Sequence, residues 1–210
     1  PKLDTIFRYL SDKKIPVMGH LGEPKNCWLP LEEMTTNNDR HYFSNNPQYH
    51  MYLHPEFPSY EDQIAARDHM LEKNPDLIFV GAHLGSLEWS LDELVKRLDK
   101  FPNMAVDLAA RMGQLYCQTI EDREKVRNFF IKYQDRLLYG TDLIDRGEKD
   151  AAGFKERLHQ IWFHDWKYFV SEEKMFSNLV DSEFQGIRLP KAVIDKLYFE
   201  NARKWFGVFN

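Results

Sequence analysis

The stretch LIFVGAHLGSLEWSLDELVKRLDKFPNMAVDL (77–108) decides the fold. It opens on a continuous apolar run, LIFVG (77–81), the pattern of a strand covered on both faces. The run ends in Ala82-His83-Leu84-Gly85. Residues 88–100 then place Leu91, Leu94, Val95 and Leu98 on one helical face. Pro102-Asn103 breaks the chain before a second short apolar strand, MAVDL (104–108). A strand, a helix and a strand in so short a span make a βα unit of a parallel sheet.

The same rhythm extends to both sides. Upstream, the run from Ile15 to Gly19 ends in His20, and downstream LLYG (137–140) ends in Thr141-Asp142. Strands are therefore predicted over 15–19, 77–82, 104–108 and 137–141. Helices are predicted over 3–12, from a Ser59 cap to about Lys73, and over 120–133. From about Lys149 the chain reads as mostly helical, with Pro190 opening the last helix. Residues 21–58 are rich in Pro, Asn, His and Tyr and show little periodicity. A connection of that length is functional or partly helical. Right-handed crossovers would bring the C-terminal ends of all these strands to one face.

Composition narrows the class. With 210 residues the chain forms one domain, 1–210, with a real core. Its net charge of -5 and scattered basic residues argue against a nucleic-acid surface. No apolar window is long enough for a membrane span. The start, PKLDTIFRYLSDKK, lacks the apolar core of a signal peptide, which makes the cytoplasm the expected compartment. It also begins without Met in helix-like sequence, as a fragment or processed product would. Cys27 and Cys117 are expected to be free thiols, and a homo-oligomer is compatible with the sequence.

Chemistry gathers at the strand ends. His20, His83 and Asp142 each follow a strand, Asp107 lies near the end of the third, and Arg111 lies just beyond it. In a (β/α) barrel that face carries the active site. Imidazole and carboxylate suit Zn²⁺, which lowers the pKa of coordinated water towards neutrality. Each residue also has a plainer role. A histidine after a strand serves as a loop donor, Asp142 as a helix cap, and Asp107 as an acceptor for a neighbouring loop. Arg111 either holds a substrate carboxylate or pairs with Asp107. Glu23 and Asn26 either line the pocket or bond within their loop. His50 and His54 sit at helical spacing, but Pro55 disfavours helix at His54, so loop packing or substrate contact is expected there. The aromatic residues between Tyr42 and Tyr60 either pack the long connection or cover the mouth.

GHLGEP (19–24), GAHLGS (81–86), LLYGTDL (137–143) and YFENARKWFG (198–207) resemble segments of the amidohydrolase superfamily. The closest likeness is to its amidohydrolase-related branch, which includes aminocarboxymuconate-semialdehyde-type decarboxylases. The resemblance implies a TIM-type (β/α)8 barrel of which this chain supplies strands five to eight and the C-terminal helices. It implies one divalent ion, Zn²⁺ by preference, held by His20 and Asp142, with His83 as a ligand or a polarising group and Asp142 as general base. The first-strand His-x-His pair of the family is absent from this sequence. The expected activity is hydrolysis of an ester, lactone or amide of a small molecule. Non-oxidative decarboxylation of a carboxylated aromatic or enol acid is the alternative reaction. A silent barrel acting as a binding or structural protein is the alternative of another class.

Overall fold

The structure is a computed structural model and describes residues 3–20, 22–145, 147 and 150–207. Four short strands form one sheet in the order β1-β2-β3-β4: β1 Val17–Gly19, β2 Phe79–Gly81, β3 Met104–Asp107 and β4 Leu137–Leu138. Every pairing is parallel, with Val17 opposite Phe79, Phe79 opposite Met104, and Val106 opposite Leu137. The four apolar runs are thus consecutive neighbours in space, and their polar C-terminal residues share one edge.

The pleat divides the apolar residues between two cores. On one face Phe79, Met104, Val106 and Leu137 pack into the main core with Leu91, Leu94 and Leu98 of the helix Leu91–Lys100. On the other face Val80, Ala105 and Leu138 are covered by Trp205 and Phe206. Covering both faces is why these strands lack polar alternation.

We label the helices α1 Asp4–Asp12, α2 Asn37–Asn45, α3 Tyr60–Lys73, α4 Leu91–Lys100, α5 Met112–Lys132 and α6 Ala151–Val170. Ser59 caps α3, as predicted, and Asp62 reciprocates to complete a capping box. Helix α4 starts at Leu91, three residues later than periodicity suggests, because residues before the Ser90 cap are taken up by a turn. Helix α5 begins at Met112, well before the expected 120, with non-helical backbone at Asp122 inside it. The expected helical start near Lys149 lies outside the described residues. The tail is not all helical: Lys174–Met175 and Phe184–Gln185 pair antiparallel before the helical run that Pro190 opens. The long connection is partly helical, holding α2 and several 3₁₀ turns; its first residue, Leu21, is outside the described set. Among the described residues no helix is long and apolar enough to cross a membrane.

Candidate active site

The loop after β2 is the most constrained backbone in the chain. His83, Leu84, Gly85 and Ser86 all have positive φ (59°, 56°, 62° and 57°), so the chain makes one left-handed turn. For residues other than glycine this conformation costs about 1–2 kcal/mol each. Neighbouring side chains hold it in place. The Tyr60 hydroxyl donates to the Ser86 carbonyl, and the buried Arg67 guanidinium donates to the Gly85 carbonyl. Both donors come from α3. The Ser86 hydroxyl donates to the Gly22 carbonyl at 3.1 Å, tying the turn to the loop after β1.

This turn fixes His83. Its backbone N–H donates to Asp107 Oδ1 at 2.8 Å, and the same oxygen accepts the Ala109 N–H at 3.0 Å. Its ring Nδ1 lies 2.7 Å from the Ala109 carbonyl. A carbonyl only accepts, so Nδ1 carries a proton, and in the neutral ring Nε2 keeps a lone pair. The buried Asp107 thus holds a loop, as its plainer role implied.

His20 sits edge-on to His83, with ring centroids 4.8 Å apart. Both line a cleft of roughly 770 Å³ together with Glu23, Arg111 and Asp142. Asp142 has φ 61° and Ala110, just before Arg111, has φ 57°, so left-handed backbone follows β3 and β4 as well as β2. Strained residues gathered around one cleft are a recognised mark of functional sites.

Helix α2 forms the opposite wall through Asn38, Asp39, His41 and Tyr42. Sequence reasoning missed Asn38, Asp39 and His41, since a polar run such as NNDRH carries no cue to which wall it will face; Tyr42 is one of the aromatic residues expected either to pack the connection or to cover the mouth. Asp39 is buried, and its Oδ2 accepts from Asn26, Thr36 and Gln114 at 2.8–2.9 Å. Asn26 is therefore spent on anchoring α2 and does not line the cleft. His54 also lies outside the cleft walls: its Nε2 lies 3.0 Å from the Pro47 carbonyl and its Nδ1 is 3.6 Å from Glu56. His50 is buried against the Leu29 carbonyl.

Glu88 is a second omission. It is fully buried, with Oε1 accepting the Lys25 N–H at 2.7 Å and Oε2 without a partner. Burial pushes its carboxyl up to about 6, an effect partly offset by the nearby Arg111 guanidinium. Arg111 is itself buried, donates through Nη1 to the Ala110 carbonyl, and has no partner for Nε. A carboxylate inside the apolar run GSLEWSL was the available signal for Glu88. Cys27 and Cys117 are free, and burial raises both thiols to about 11, which keeps them protonated and poorly nucleophilic.

The donor set suits a divalent ion in kind, with two imidazoles and a carboxylate in one cleft. It is short in number: among the described residues no three His, Cys, Asp or Glu side chains lie close enough to hold an ion.

A family model for amidohydrolases matches residues 1–208, and the chain belongs to that family. No curated protein matches it. Among solved structures it is similar to an uncharacterized TIM-barrel protein from Bordetella bronchiseptica, at 17% identity and a TM-score of 0.47. The match covers 98% of this chain and 50% of that protein, so the chain spans about half its length.

Proposed function

We propose that the chain supplies strands five to eight of a (β/α)8 barrel and that its cleft hydrolyses an ester, lactone or amide of a small molecule. The observation that carries this reading is the meeting of His20, His83, Arg111 and Asp142 in one cleft at the strand ends. His20 and Asp142 would hold a divalent ion, Zn²⁺ by preference, with the remaining donors coming from outside these residues. Such an ion supplies Lewis-acid activation of water and of the carbonyl. Asp142 takes the proton of the attacking water and returns it to the leaving group. His83 Nε2, its lone pair free, accepts a hydrogen bond from water or substrate. Arg111 holds a substrate carboxylate or the polarised oxygen.

The unpartnered Nε of buried Arg111 also favours a second reaction in the same cleft, decarboxylation of a carboxylated acid gripped by that guanidinium. Asp142→Asn in the full-length protein tests the first reading on a panel of esters, lactones and amides. Turnover should fall at least ~100-fold, the usual worth of a general base, with the circular dichroism unchanged. Undiminished hydrolysis would remove Asp142 from the mechanism. Release of CO₂ from carboxylated substrates, without incorporation of oxygen from water, would favour the second reaction.

A further inference from the structure

A second cavity of about 640 Å³ opens beside the cleft, and the two share a wall. Asn38 lines both. Ala110 and Thr141 face this cavity while their chain neighbours Arg111 and Asp142 face the cleft. Its sides are mostly apolar, built from Met112, Leu143, Ile161, Phe176 and Leu179. Tyr116, His164 and Asp165 form a polar patch in that lining, which also holds Arg157, Gln160 and Asn178.

The patch is a hydrogen-bonded cluster. Tyr116 Oη lies 3.0 Å from Asp165 Oδ1 and 3.2 Å from His164 Nδ1. His164 Nε2 faces the Phe176 carbonyl at 3.1 Å, so that nitrogen carries the proton and a neutral ring leaves Nδ1 as an acceptor. Tyr139 donates to Asp165 Oδ2 at 2.8 Å and so supplies the other oxygen. The single Tyr116 proton goes to Asp165 Oδ1, which leaves Nδ1 of a neutral His164 ring able to accept from a guest. Burial raises the Asp165 carboxyl, an effect partly offset by the hydrogen bonds from Tyr139 and Tyr116 and by the nearby His164. An apolar cavity with a few convergent polar groups is the usual form of a small-molecule site.

We infer that this cavity binds an apolar group of aromatic-ring size ending in a hydrogen-bond donor, a hydroxyl or an amine. It would seat the non-reacting end of a substrate whose labile bond lies in the cleft. That assignment to a substrate rests on the proposed hydrolase reading; binding of the guest does not.

Benzyl alcohol and its isomer anisole have the same atoms, but only the alcohol donates. Titration of both into the full-length protein, followed by NMR, separates the hypotheses. The alcohol should bind once, shifting Leu143 and Ile161 methyl signals, at least tenfold more tightly than anisole. Tyr116→Phe should narrow that gap. Ile161→Trp, at a half-exposed position, should exclude both compounds and decides the matter even if Tyr116→Phe does not fold. Equal affinity, no binding, or binding undisturbed by Ile161→Trp overturns the inference. If the alcohol binds as expected but no ester is hydrolysed, the hydrolase reading fails and the binding site stands.

Discussion

Glu88 shows how one buried carboxylate links the loops around the cleft to pH. In an unfolded chain it titrates near 4.5, whereas burial lifts it to about 6 in the folded protein. The folded state thus holds the proton more tightly, and stability falls as pH rises from the lower value through the upper one. The loss amounts to about 2 kcal/mol once Glu88 is ionised. Glu88→Gln should lack this slope, so urea unfolding of the two proteins between pH 4 and 7, as a rough working range, should diverge by that amount. Parallel curves would mean that the carboxyl is not desolvated in solution. Asp107→Ala should cost about 2–3 kcal/mol, because two buried N–H groups lose one acceptor. At this scale the sequence was informative where a polar residue closed an apolar run, as at His20, His83 and Asp142. It was silent on Asp39, whose burial depends on neighbours distant in the chain, and for Glu88 it offered only a carboxylate within an apolar run.

Among the elements, the left-handed turn after β2 sets the tightest limits. A Cβ at Gly81 would stand 2.8 Å from the Gly85 Cα, a backbone atom with no room to yield. At Gly85, already at φ 62°, a Cβ would press on Met104 and Val106 at 3.1 and 3.3 Å. Gly81→Ala should therefore destabilise more than Gly85→Ala, and both by more than the ~1 kcal/mol of an ordinary glycine exchange. Thermal unfolding of the two variants checks the order; a milder loss in Gly81→Ala would contradict the close approach. The strands and α3 were legible because apolar runs and a serine cap are local signals. The turn was not, since only one of its four residues is a glycine. The hairpin at 174–175 and 184–185 was missed because two-residue strands are too short to show alternation.

For the whole molecule, the sheet ends at β1 and β4, each paired on one side only among the described residues. Apolar side chains lie exposed near both ends: Ile15 and Met18 by β1, and Trp162, Phe163 and Trp166 around the mouth of β4. Open strands flanked by such surface invite pairing. A preparation of residues 1–210 alone should self-associate in light scattering, and the double change Trp162→Glu, Phe163→Glu should reduce its size. A monomer that binds no apolar dye would argue that these surfaces are inert. The parallel architecture followed from the order of apolar runs. The polar α2 wall did not, because it is assembled by Asp39, Asn26 and Gln114 reaching across the chain.

The bond between His83 Nδ1 and the Ala109 carbonyl has a consequence for proton traffic. An imidazole relays a proton by taking it at one nitrogen and releasing another from the opposite nitrogen. Here the opposite nitrogen is committed to an acceptor that has no use for a second hydrogen. Any proton that His83 exchanged would have to enter and leave at Nε2, so the ring could serve as a reversible dock and not as a conduit. Its ¹⁵N spectrum should accordingly show the Nδ1–H form, which free histidine disfavours.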